Sequence, residues 1–296
     1  MSQNILSFIY VLISMLSIQF GASIAKRIFP VAGPAGTTML RVSLAAIMLL
    51  LMWKPWRVKW EKKRLLNFCF YGLSLGAMNL FFYLALARIP LGIAVALEFT
   101  GPLTLALFSS KKIADIIWAL LAAIGIYFIL PINVSETTHA LDLTGILFAI
   151  AAGACWALYI IFGKASTANV HSGHATALGM TFAALLTLPF GIVMNGAQVF
   201  DSHLIMTLLP LGVLIAILSS ALPYSLEMMA LKNIPTKTFG ILMSLEPAIA
   251  TLMGYLFLKE RLSTIQIFSI VCIVIASVGT TLSNKNEKES SKILSN

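Results

Sequence analysis

Long apolar runs alternate along this chain with short polar punctuation. No Asp, Glu, Lys or Arg occurs in 1–25, 65–87, 116–135, 143–163, 165–200, 202–226 or 262–284. A helix crosses the hydrocarbon core of a bilayer with ~20 mostly apolar residues, and most of these runs have about that length. Strands of a membrane barrel would instead alternate in polarity over ~10 residues. The pattern therefore predicts an all-α integral membrane protein. It places spans near 5–25, 36–53, 66–87, 91–109, 113–131, 143–162, 174–194, 207–231, 237–257 and 262–282. The breaks carry turn residues and charge: "FPVAGPAG", "KPWRVKWEKKR", "RIP", "PINVSETTHALD", "KNIPTK" and "KER".

Composition agrees. The chain is 59% hydrophobic and 10% charged, with a mean hydropathy of +0.94; soluble domains carry roughly 25% charged residues. The net charge of +9 does not call for nucleic acid, because the basic residues sit in short loops between spans. Of the 20 Lys and Arg residues, 14 fall on the side of the 54–65 loop and the C-terminal tail, five on the other, and Arg41 within a span. Basic loops stay cytoplasmic, so both termini are expected in the cytoplasm, with Trp53, Trp56 and Trp60 at the interface. The first 25 residues lack the basic start of a signal peptide and are too long for its apolar core; they read as a retained span. Cys69, Cys155 and Cys272 fall in apolar runs with no metal-ligand spacing and read as buried small side chains.

The two halves echo each other. "ALARIPLGIAVALEFTGPL" (85–103) aligns with "ALKNIPTKTFGILMSLEPA" (230–248), matching Ile89 with Ile234, Pro90 with Pro235 and Pro102 with Pro247. "FGASIAK" gives a fainter match to "YIIFGK". Five spans per half is an odd number, so the second half enters the membrane from the opposite face. That is an inverted repeat, an arrangement that in many secondary transporters places substrate near the midplane. The expected units are 1–132 and 143–283, a periplasmic connection at 133–142, and a disordered polar tail at 284–296.

Each half carries an acid in an apolar setting. Glu98 lies ~12 Å into its helix from Pro90, and Glu246 ~16 Å from Pro235, both near the middle of a ~30 Å core. An ionised side chain at that depth costs on the order of 3 kcal/mol. The cost falls if the acid faces a wet cavity, pairs with a cation or carries a proton. Such a carboxylate can exchange a proton or hold a cationic group; alternatively it bonds to Ser, Thr or backbone and serves only packing. Pro102 and Pro247 each free a carbonyl one turn earlier and bend the helix. In membranes such groups are tolerated where they line a cavity or meet neighbours.

Further polar groups lie at depth. Arg41 is placed to anchor a carboxylate or neutralise a glutamate, or else to snorkel or fix a helix. Glu227 is close enough to Lys232 in sequence for interfacial pairing to be expected. Gln19, Asn79, Tyr83, Tyr159 and Tyr224 supply hydrogen-bonding groups that also suit helix–helix contacts. The histidines (His139, His171, His174, His203) lie in expected loops without a ligand cluster. There is no Walker A loop, dinucleotide fingerprint or nucleophile elbow, so neither an enzyme nor a cofactor is expected.

The stretches "SIQFGASIAK", "FYGLSLGAMN", "LGIAVALEFTGPL", "AILSSALPYSLEMMAL", "PTKTFGILMSLEPA" and "LFLKERLSTIQ" resemble the drug/metabolite transporter superfamily built from EamA-type repeats. Within it they are most similar to the bacterial inner-membrane threonine/homoserine exporters. The resemblance runs from the first span to the ninth. It implies efflux of threonine and homoserine driven by the proton gradient, with an amino acid and protons as the moving partners in the bilayer. An acid after the ninth span fits the family pattern at Glu260; the first half reads "SSKK" there and departs from it. The residues alone leave other cargo open, such as a cationic drug or another small metabolite. A membrane enzyme or scaffold would need a reactive cluster, which the sequence does not offer.

Overall fold

The computed structural model describes residues 3–58, 61–108, 114–129, 142–168, 170–195, 202–234, 239 and 242–283, and every regular element among them is helical. His139, most of the 133–142 connection, Pro235 and the tail 284–296 lie outside the described residues.

The first helix, α1 (Gln3–Trp53), departs from expectation. Spans were expected at 5–25 and 36–53 with a loop between them. The backbone instead stays helical throughout except at Gly33, with φ 63° and ψ 165°. Glycine takes that φ readily, and Pro30 and Pro34 on either side lack the amide hydrogens that would hold a straight helix. The 51 residues amount to roughly 76 Å of helix, more than twice the ~30 Å hydrocarbon core. The break at Gly33 thus divides α1 into two limbs.

A 3₁₀ turn at Pro55–Arg57 leads to α2 (Lys62–Leu86). The next expected span is split into α3 (Leu91–Glu98) and α4 (Thr100–Phe108), followed by α5 (Ala114–Ile129). In the second half come α6 (Leu143–Thr167) and α7 (Ser172–Asn195). Then α8 (Ser202–Ala216) runs through a π-helical turn at Ile217–Ala221 into α9 (Leu222–Asn233). The expected span 237–257 is discontinuous, with a turn at 244–245 ahead of α10 (Glu246–Leu258). The last helix is α11 (Thr264–Ser283).

Among the described residues, five stretches are long and apolar enough to cross a bilayer, with four shorter apolar helices beside them. Large side chains such as Leu51, Leu147 and Phe268 point outward from the bundle, as they would toward lipid. Inside it, α2 lies along α6 and α7, α1 along α7 and α9, α3 along α10, and α5 along α11.

Two contacts fix the elements that carry the acids. Gly101 of α4 and Gly153 of α6 bring their backbones together: a Cβ on Gly101 would overlap the Gly153 carbonyl, and one on Gly153 would overlap the Glu98 carbonyl. At the other end of α3, Glu260 accepts from the Leu91 amide (2.8 Å) and pairs with Lys26 Nζ (2.7 Å). Glu260 therefore satisfies an orphan donor of a helix N-terminus from outside that helix and ties it to α1. Nearby, Asp142 caps α6 through the Thr144 amide and pairs with Arg88 at 2.9 Å. Arg88 and that amide hold its carboxyl below the usual range.

A β-branched side chain at the glycine crossing should separate α4 from α6. Overpacking of a tight contact costs typically 1–3 kcal/mol. Gly153→Val is expected to lower the thermal midpoint of the detergent-purified protein, while Ala154→Val, on the exposed face of the same helix, leaves it unchanged. Equal midpoints for the two variants would show that the crossing has slack.

Candidate functional site

Three acids, not two, converge on one central cavity. Glu98, Glu246 and Glu227 line it together with Gln19, Arg41, Asn79, Tyr83, Ser219 and Tyr224. Ile18, Met78, Phe82 and Trp156 supply apolar wall. All three acids are nearly inaccessible from outside, at 7%, 5% and 3% exposure for Glu98, Glu246 and Glu227.

Prolines place the acids. Pro102 has no amide hydrogen for the Glu98 carbonyl four residues earlier, and the helix breaks at Phe99, leaving Glu98 as the last residue of α3. Pro247 occupies the first turn of α10, where its missing donor does no harm, and Glu246 opens that helix. Glu246 therefore sits at a helix N-terminus, whose dipole favours negative charge, and Glu98 at a C-terminus, whose dipole opposes it. The helix breaks put the two acids on opposite ends of their half-helices.

Gln19 Nε2 donates to Glu246 Oε1 at 2.9 Å. Glu98 makes no side-chain hydrogen bond among the described residues but lies within electrostatic reach of Glu246, Arg41 and Glu227. Glu227 corrects the sequence expectation. It does not pair with Lys232, which donates to the Val170 carbonyl at 3.0 Å; Glu227 instead accepts from Tyr159 Oη at 2.9 Å. The reason is helical geometry. Residues five apart lie ~140° round a helix of 3.6 residues per turn, so with Glu227 turned inward Lys232 projects elsewhere.

Arg41 does not snorkel. Its side chain is 2% exposed, and its guanidinium carbon lies 4.3 Å from the centroid of the Tyr83 ring. Nη1 donates to the Ser219 carbonyl (2.6 Å) and Ser220 Oγ (2.8 Å), and Nη2 to Asn79 Oδ1. Asn79 Oδ1 also accepts from Tyr224 Oη at 2.8 Å. The π-helical turn makes this grip possible. Pro223 cannot donate to the Ser219 carbonyl one turn back, and that carbonyl turns to Arg41. Ser219 and Ser220 escaped the sequence reading, although a proline four residues beyond Ser219, inside a span, was the available signal.

Of the nine candidates from the sequence, eight line the cavity and Tyr159 stands one step behind, on Glu227. The bonding leaves a definite remainder. Glu246 Oε2, Gln19 Oε1, Arg41 Nε and Tyr83 Oη are buried and have no hydrogen-bond partner among the described residues. All four residues line the cavity. Two of these atoms are acceptors, one is an N–H donor, and the phenol can act either way.

Known proteins resemble this chain in sequence. Residues 143–282 match the EamA-like transporter family. The threonine/homoserine exporter RhtA of Salmonella typhimurium (strain SL1344) is 48% identical over 96% of this chain and 94% of its own length. RhtA of Escherichia coli (strain K12) is 47% identical over the same shares. A solved crystal structure superposes with a TM-score of 0.61, covering 94% of this chain and 98% of that one at 17% identity, a likeness of fold alone. With a multi-pass helical bundle, a polar cavity at its centre and close to half its residues shared with RhtA along nearly the whole length, the chain belongs to the EamA-like transporter family.

Proposed function

We propose that this protein exports threonine and homoserine, and with them small neutral amino acids, across the inner (cytoplasmic) membrane in exchange for protons. The observation that carries this reading is the remainder of unpartnered polar atoms. A zwitterion needs acceptors at one end and donors at the other. Glu246 Oε2 and Gln19 Oε1 suit an ammonium; Arg41 Nε and Tyr83 Oη suit a carboxylate. Relatives sharing 47–48% of the residues are threonine/homoserine exporters by name, which specifies the amino acid more narrowly than the geometry does. A cationic drug or a metabolite without a carboxylate is disfavoured by the buried guanidinium beside the cavity.

The same acids account for coupling. Glu98 takes the proton and Glu246 the ammonium; the two acids act on each other electrostatically, so a proton arriving from the periplasm at Glu98 weakens the negative field that holds the ammonium and the amino acid leaves outward. Access would alternate by rocking the 1–132 unit against the 143–283 unit. Three features support ten spans in two inverted halves. The length of α1 suits two crossings; α3–α4 and the segment around α10 are both interrupted beside their acids; and the packing between the halves is reciprocal, with α2 of the first against α6 of the second and α9 of the second against α1 of the first. The excess of basic residues on the 54–65 side favours cytoplasmic termini.

Counterflow of labelled threonine in proteoliposomes tests the reading directly: uptake driven by internal unlabelled threonine or homoserine is expected, and its absence with a correctly inserted protein would overturn it. Glu98→Gln should abolish efflux driven by a pH gradient while leaving counterflow measurable; full gradient-driven efflux in that variant removes Glu98 from proton coupling. Glu246→Gln should raise the half-saturating threonine concentration about tenfold or more, since a hydrogen bond to a charged group contributes ~1.5–3 kcal/mol. An unchanged value would place the ammonium elsewhere.

A further inference from the structure

Arg41 is a buried cation with an unusual set of partners. A buried charge without a counter-charge is left uncompensated, so buried guanidinium groups are ordinarily matched by carboxylates. Here three carboxylates line the same cavity and none pairs with it. The ion pairs among the described residues are Lys26–Glu260, Arg64–Glu61 and Arg88–Asp142. Each acceptor that holds Arg41 is neutral: a backbone carbonyl, a serine hydroxyl and the Asn79 amide oxygen.

Asn79 is the informative member of this set. Its Nδ2 donates to the Leu75 carbonyl of its own helix at 2.8 Å, so its Oδ1 faces the guanidinium. That oxygen takes two donors at once, Arg41 Nη2 and Tyr224 Oη. An aspartate has nearly the same shape and would add a negative charge opposite a guanidinium that already assists the bond, though its second oxygen would meet the Leu75 carbonyl. The position thus carries an uncharged partner where an anion would neutralise Arg41.

We infer that Asn79 determines specificity: by gripping Arg41 without neutralising it, the Asn79 amide reserves the guanidinium charge for a ligand carboxylate, so the site accepts α-amino acids and rejects amines that lack one. This rests on the amino-acid reading above and narrows it. An amino acid brings the anion that Arg41 lacks. An amino alcohol of the same shape satisfies Glu246 and Gln19 but leaves the cation uncompensated. Placing a carboxylate at position 79 would supply the anion from the protein, repel the carboxylate of the amino acid and make the amino alcohol the better ligand.

The test uses the full-length protein in proteoliposomes and measures how threonine and threoninol, in which a CH₂OH replaces the carboxylate, compete for counterflow of labelled threonine and for binding to the purified protein. The unaltered protein should prefer threonine by about tenfold or more, the scale of one charged hydrogen bond. Asn79→Asp should reverse that preference. Asn79→Ala, which loosens the grip without adding charge, should weaken binding and still prefer threonine. Retention of the threonine preference by Asn79→Asp overturns the inference, as does a reversal by Asn79→Ala. Should Asn79→Asp fail to insert, Ser220→Asp brings a carboxylate to the other nitrogen of the same guanidinium and is expected to give the same reversal; its retention of the threonine preference is equally fatal. An unaltered protein that takes neither compound removes the amino-acid reading itself, whereas one that prefers threonine while the aspartate variants do too leaves that reading standing and removes only the role of Asn79.

Discussion

In hydrocarbon a backbone carbonyl without a donor has no water to turn to; this protein is organised around two prolines that create that situation, Pro102 and Pro223, and a third, Pro247, that starts a helix. Pro102, Pro223 and Pro247 each interrupt a helix inside the bundle. The consequences differ with the local partners. The Ser219 carbonyl, denied the amide of residue 223, accepts from Arg41. The Glu98 carbonyl, denied the amide of residue 102, lies against the Gly153 backbone. Pro247 leaves Glu246 at the start of a helix. The cavity sits among these interruptions, and its polar lining is largely the set of groups that the interruptions expose or recruit.

The charge pattern of the cavity follows from how those groups are satisfied. Three acids and one guanidinium share a small, nearly closed space, yet no ion pair forms among them. Glu246 is held by Gln19, Glu227 by Tyr159, and Arg41 by neutral oxygens. Had Arg41 paired with an acid, both charges would be compensated internally and neither would attract a ligand. Keeping opposite charges apart by neutral spacers preserves both an anionic and a cationic end, which is what recognition of a zwitterion requires. In the proposed exchange the same separation leaves a carboxylate available to a proton, so that substrate binding and coupling would draw on one arrangement.

The halves are similar without being equivalent. Glu260 ties α1 to the N-terminus of α3 on one face, while the corresponding stretch of the first half is "SSKK" and offers no acid for a reciprocal tie. Glu98 ends its half-helix and Glu246 begins its own, so the helix dipoles act on them in opposite senses. An exporter that must treat its two faces differently gains from such asymmetry.

The all-helical membrane architecture was legible in the sequence, because hydrophobic run length and proline position are local properties that a bilayer reads directly. The apolar runs gave the helices, and acids in apolar surroundings marked a polar interior. Eight residues expected at a site do line one cavity, since polar side chains at depth have few other places to go. What local pattern could not supply was partnership. Proximity in sequence suggested Glu227 with Lys232, but the inward face of α9 turns Glu227 to Tyr159. The turn expected between the first two spans contracted to a single residue, Gly33. The grip of Ser219, Ser220 and Asn79 on Arg41 joins positions up to 179 residues apart. Composition and periodicity thus determined which groups leave water; only the packing of distant helices decided which of them meet, because the hydrogen bonds and charge contacts that matter here act over a few ångströms between segments with no local relation.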